Sequence, residues 1–81
     1  MIFNNYVKAI VFKNDSGVEM DVREGITYLH VKLNDDTEFK GKVLSLHDDS
    51  FTLTNSKAKE REKIIQFSDI KEMYYSNPLE L

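Results

Sequence analysis

Residues 26–54, ITYLHVKLNDDTEFKGKVLSLHDDSFTLT, constrain the fold more than any other part of the chain. Apolar and polar residues alternate, a turn intervenes, the alternation resumes and a second turn follows, which is the pattern of a β-meander. With a three-residue loop at Asn34, Asp35 and Asp36, Leu33 faces Thr37, Lys32 faces Glu38, Val31 faces Phe39 and Leu29 faces Gly41. One face is then mostly apolar and the other charged. A two-residue loop sets Lys32 against Phe39 and Leu33 against Glu38, so the pattern itself selects the longer loop.

Within the meander, residues 37–46 form the longest predicted strand. Phe39 and Val43 belong to one face, whereas Leu44 and Leu46 pair with Leu53 and Phe51 across a four-residue turn at residues 47–50. A flat strand does not bury both sets against one layer. Gly41 stands between them, and a glycine inside a strand marks a sharp bend or a close backbone approach. The sheet is therefore expected to curl on itself.

Before the meander, residues 6–13 (YVKAIVFK) are rich in β-branched and aromatic residues, Asn14, Asp15, Ser16 and Gly17 make a turn signal, and Val18, Met20 and Val22 alternate with Glu19 and Asp21. A hairpin is expected. A short helix over residues 5–13, capped by Asn4 or Asn5, is the competing reading. Arg23, Glu24 and Gly25 break the chain before the meander. After it, residues 55–63 (NSKAKEREK) offer almost nothing to bury and read as a loop or an extended hairpin tip. Ile64, Ile65 and Phe67 start the next strand, residues 68–70 make a tight or 3₁₀ turn, and residues 73–75 form a short closing strand. Asn77 and Pro78 end the ordered part.

The expectation is a single domain over residues 1–81, all-β, folded as a small, strongly bent barrel with an added N-terminal hairpin. Its core is assigned to Val11, Val22, Leu29, Val31, Phe39, Val43, Leu46, Phe51, Leu53, Ile65, Phe67 and Ile70. A chain this short buries only about 60 to 65% of the surface its unfolded form exposes, so the core is small.

The pieces VKLNDDTEFKGKVLSL, DDSFTLT and IIQFSDIKEMYY, with a polar loop before the last, resemble the Sm-like family, which includes bacterial Hfq and the Sm and Lsm proteins. In that family a bent central strand carries a glycine where Gly41 stands, and a final strand, short turn and strand complete a small five-stranded barrel. YolD-like domains and other SH3-like barrels share the same pattern. The resemblance implies a barrel, ring assembly and RNA binding, but the residues that carry RNA binding differ here. Asp36 stands at the usual first-turn glycine. Phe67 and Ser68 replace the Lys-His or Arg-Gly pair of the nucleotide pocket, and His47 and Asp49 fall at its aspartate and aromatic positions.

Candidate chemistry is sparse. The pairs Asp35-Asp36 and Asp48-Asp49 are the places to look for a cation, yet Asp36 and Asp48 are twelve positions apart along the strand, about 40 Å if extended. Aspartate favours such turns by bonding its own backbone. His30, on the Lys32/Glu38 face opposite Lys40, and His47, at a turn, are the only histidines, and without cysteine they lack zinc-site spacing. Ser45, Ser50, Ser56 and Ser68 lack a nucleophile elbow, and no glycine-rich phosphate loop occurs. The reading is non-enzymatic, with no catalytic residue, metal or cofactor.

The formal charge of −3 lacks the global basic footprint of a phosphate binder. Lys57, Lys59, Arg61 and Lys63 put four cations on one side of an extended hairpin arm, countered by Glu60 and Glu62 on the other. Phe3, Tyr6, Tyr28, Tyr74 and Tyr75 supply aromatic surface. Because Tyr74 and Tyr75 are adjacent on the closing strand, one must point away from the core, and residues 73–75 are expected to form a sheet edge open to another subunit.

Two functions compete. The favoured one is a protein-binding or regulatory module, of the kind of small inhibitor that mobile elements encode, with Met73, Tyr74 and Tyr75 as its partner-binding residues and a homo-oligomeric assembly. The other is an Sm-type RNA binder using Lys57, Lys59, Arg61 and Lys63. The absence of cysteine fits a reducing compartment, the cytoplasm, and no run is long and apolar enough for a membrane partner.

Overall fold

The computed structural model describes residues 7–13 and 17–78. Seven strands are present: β1 (Ala9–Lys13), β2 (Glu19–Arg23), β3 (Tyr28–Leu33), β4 (Glu38–Leu46), β5 (Ser50–Thr54), β6 (Glu62–Gln66) and β7 (Ile70–Tyr75), with one 3₁₀ turn at Phe67–Asp69. The fold is all-β. Strands β1 and β2 form an antiparallel hairpin, and the other five form an antiparallel sheet of order β6-β5-β4-β3-β7. Strands β6 and β7 are both edges, so the sheet is not closed by strand pairing among the described residues.

The meander has the register that face segregation requires. Leu29 pairs with Gly41, Val31 with Phe39 and Lys32 with Glu38, and Leu33 N–H donates to the Thr37 carbonyl at 2.8 Å. Asp36, the last loop residue, takes a positive φ of 68°, the left-handed position that ends a three-residue hairpin loop. Aspartate tolerates that conformation better than most side chains.

Strand β4 changes its buried face, but not at Gly41. The register with β5 shifts between Val43 and Ser45, so Val43 pairs with Leu53, Ser45 with Thr52 and Leu46 with Phe51. A bulge lets Val43 and Leu46 both point inward while Leu44 turns out to solvent. The expected pairing of Leu44 with Leu53 is therefore corrected to Val43 with Leu53. Gly41 has the second role that its type allowed, close approach: a Cβ there would lie 2.6 Å from the Thr54 carbonyl oxygen.

Strand β1 excludes the helical reading for residues 9–13. Its phase also corrects the expected core. Ile10 pairs with Val22 and Phe12 with Met20, which turns Ile10 and Phe12 inward and leaves Val11 63% exposed. Both phases of this strand are apolar, so alternation alone did not choose between them. Tyr6 and the turn residues Asn14, Asp15 and Ser16 lie outside the described residues, as does Phe3.

The hairpin packs over the inner face of the five-stranded sheet. Met20, Val22, Leu29, Val31, Val43, Leu46, Phe51, Leu53, Ile65 and Met73 are buried together, with Phe39, Phe67 and Ile70 half-buried at the rim. Phe12 makes edge-on ring contacts with Phe67 and Phe51 at centroid separations of 4.8 and 6.0 Å. Burying such rings is the main favourable term available to so small a core. Among the described residues no helix is long and apolar enough to cross a membrane.

Candidate functional site

Strand β7 is held by β3, with Leu29 opposite Tyr75, His30 opposite Tyr74 and Val31 opposite Met73. Ser76 N–H donates to the Tyr28 carbonyl at 2.9 Å, which makes the even-numbered residues of β7 the hydrogen-bonded ones. The N–H and C=O of Met73 and Tyr75 consequently point to the open edge.

The three expected partner-binding side chains diverge. Met73 is 7% exposed and belongs to the core, so what it offers at the edge is backbone. Tyr74, 53% exposed, lies on the outer face, edge-on to the His30 ring. The Glu72 carboxylate on the same face of β7 holds the Tyr74 phenol above its ordinary pKa. Tyr75, 58% exposed, leans from the inner face toward the hairpin. The Tyr75 hydroxyl accepts from Asp21 N–H at 2.8 Å and donates to the Asp21 carbonyl at 3.1 Å.

The four loop cations do not form an arm. Strand pairing between β5 and β6 ends at Thr54 and Glu62, and residues 55–61 fold into a compact loop. Asn55 organises it: its N–H donates to the Arg61 carbonyl at 2.7 Å, its side-chain oxygen accepts from Lys57 N–H, and its carbonyl accepts from Ala58 N–H. Its side-chain amide also donates to the Lys40 carbonyl at 2.9 Å. Alternation of side chains requires extended backbone, so the expected single row of Lys57, Lys59, Arg61 and Lys63 is corrected. Only Lys63 lies in a strand, half-buried and 3.9 Å from Glu60. Lys59 and Lys63 line a groove of about 360 Å³ with Leu33, Asp35, Phe39 and Glu60, while Lys57 and Arg61 lie outside it.

The acidic pairs occupy separate turns. Asp35 accepts from the hydroxyl and N–H of Thr37, at 2.6 and 3.0 Å, which lowers its pKa. Asp36 accepts from the Lys71 ammonium at 2.9 Å, lowering the carboxyl and raising the amine. His30 is half-buried, bonded to Glu38 at 2.8 Å, and His47 lies 3.2 Å from the Ser45 hydroxyl. No group of three metal-ligating side chains converges among the described residues.

A further cluster emerges from pairing rather than from any motif. Tyr28, His30 and Lys32 on β3 face Lys42, Lys40 and Glu38 on β4, while Tyr74 and Glu72 on β7 flank His30 and Lys32. The alternation marked the β3–β4 part as a charged face, but no local signal places β7 beside it. Comparison with protein-family models, with curated proteins and with solved structures finds no match for this chain.

Proposed function

We propose that this protein is a non-catalytic protein-binding or regulatory module of the cytoplasm that assembles with copies of itself through the open edge of β7. The observation that carries this reading is the backbone of Met73 and Tyr75, whose N–H and C=O groups face outward on an unpaired edge beside two exposed tyrosines. An edge of this kind accepts a further strand. The second edge, β6, with Ile64 exposed, lies at the opposite end of the same sheet, so one copy's β7 meets the next copy's β6 in a head-to-tail contact. An Sm-like barrel is the architecture we infer. The five-stranded sheet, the bulged β4, the glycine at position 41 and the 3₁₀ turn before β7 support it. The loop-based RNA reading lacks the extended arm it assumed, because Lys57, Lys59 and Arg61 lie in a compact loop and only Lys63 lies in a strand.

Light scattering on two variants tests the assembly. Tyr75→Phe removes the hydroxyl bonds to Asp21 and leaves the edge intact, whereas Tyr75→Pro also deletes the outward N–H. Wild type and Tyr75→Phe are expected to run above the monomer mass of 9.5 kDa and Tyr75→Pro at it. A monomeric wild type at high micromolar concentration overturns the reading.

A further inference from the structure

The outer face of β7, β3 and β4 is graded in charge. Nearest the turn at residues 34–36 lies the row Glu72, Lys32 and Glu38; the next row is Tyr74, His30 and Lys40; beyond it Tyr28 stands opposite Lys42. The first row and its turn are acidic and held by ion pairs, with Asp36 on Lys32 and Lys71 and Glu38 reaching His30 in the next row. Lys40 and Lys42, at the other end, form no ion pair among the described residues.

Hydrogen bonding sharpens the juxtaposition. Leu33 N–H to Thr37 and Val43 N–H to Thr27 place odd-numbered residues of β3 in the bonded positions, so Tyr28–Lys42 and His30–Lys40 are narrow pairs. In such pairs the Cα atoms approach to about 4.5 Å and side chains run side by side. Successive rows repeat every two residues, about 6.8 Å, the order of the phosphate repeat of an extended single strand. Beside Tyr28 and Lys42, an open pocket of about 330 Å³ is completed by Thr54, Asn55, Ser56 and Pro78.

We propose that this face binds single-stranded nucleic acid, with bases stacked on Tyr28 and Tyr74, phosphates held by Lys40 and Lys42, and one nucleotide seated in the Tyr28–Lys42 pocket. Unpaired cations alternating with aromatic rings on a sheet surface suit a ligand that alternates charge with π-faces. The acidic row at the turn end repels phosphate and sets the strand's path toward the pocket end. The face is independent of the proposed assembly, because pairing at the β6 and β7 edges uses backbone and leaves the outer side chains uncovered.

The test is fluorescence anisotropy with labelled oligo(U) and oligo(dT) of about 12 nucleotides, using the full chain. Both oligonucleotides bind, and neutralising two phosphates makes affinity fall about sevenfold between about 50 and 200 mM salt. Lys40→Ala with Lys42→Ala removes most of that dependence. Tyr74→Ala weakens binding at least about fivefold, as does Tyr28→Ala, and Tyr28→Phe keeps it. Tyr74 is exposed, so its variant carries the stacking test should Tyr28→Ala unfold. Replacing Lys57, Lys59, Arg61 and Lys63 by alanine leaves affinity within about twofold. Binding of oligo(U) alone supports the site and assigns it to RNA through the 2′-hydroxyl. Three results overturn it: neither oligonucleotide binds, the loop variant abolishes binding that Lys40→Ala with Lys42→Ala retains, or polyglutamate of equal length displaces the oligonucleotide equally well.

Discussion

Gly41 shows how one residue admits a close backbone approach. The chain leaving β5 crosses directly over it, with the Thr54 carbonyl oxygen where a Cβ would reach within 2.6 Å and the Asn55 amide fixed on the Lys40 carbonyl beside it. The obstacle is backbone rather than a flexible side chain. Gly41→Ala is therefore expected to destabilise by about 1–3 kcal/mol through displacement of the β5 end, measured by urea unfolding. An unchanged midpoint would mean that the crossing is not tight. The glycine was legible in the sequence as a bend or a close approach; which of the two it was depended on where residue 54 passes, thirteen positions away.

Among the elements, the β1–β2 hairpin depends most on side chains reaching across. The last part of β4 runs past the start of β3, leaving Leu46 without a strand on that side. Glu24 Oε2 accepts the Leu46 N–H at 2.8 Å, and the Lys8 ammonium donates to the Leu46 carbonyl at 2.8 Å. Tyr75 does the equivalent for Asp21 on the outer edge of β2. These bonds satisfy strand edges that would otherwise be left unpaired. Glu24→Ala orphans the Leu46 N–H and should cost about 1–3 kcal/mol, while Glu24→Gln, which keeps an accepting oxygen, should cost less. Hydrogen exchange at Leu46 checks this directly: protection lost in the alanine variant and kept in the glutamine variant. Equal protection in all three proteins would remove Glu24 from the account. No local pattern announces these partners, because Glu24 and Leu46 are 22 residues apart and Tyr75 and Asp21 are 54 apart.

At the scale of the whole molecule, Asp36 and Lys71 clip the β3–β4 turn to β7. The sign of its pH dependence follows from the two shifts. The carboxyls of Asp36 and Asp35 are lowered, so their contribution is complete above the ordinary aspartate pKa of about 3.9 and is lost as pH falls through the folded value. The Lys71 amine is raised, so its contribution is complete below its ordinary pKa of about 10.4 and is lost as pH rises through the folded value. Thermal midpoints should thus be level between about pH 5 and 9 and fall on both sides. Asp36→Asn, which keeps a residue tolerant of the positive φ, should flatten both limbs. Superimposable pH profiles for the two proteins would show that the clip contributes nothing.

The β-meander, its three-residue loop and its register follow from alternation alone, because only that register separates Leu29 and Val31 from His30 and Lys32. The sequence also favoured the all-β class and placed a tight or 3₁₀ turn at residues 68–70 before the last strand; the 3₁₀ turn lies one residue earlier, at Phe67–Asp69, and takes Phe67 out of the preceding strand. Contacts between distant parts of the chain set the rest. Both phases of β1 are apolar, so its partner strand chose Ile10 and Phe12 over Val11. The bulge after Val43, not Gly41, moved the buried face, since either position between Phe39 and Leu46 was compatible with the pattern. Asn55 folded a row of alternating cations into a loop in which alternation has no meaning. The outer face likewise exists only in three dimensions. His30 and Tyr74 are 44 positions apart, and only the pairing of β3 with β7 sets them side by side.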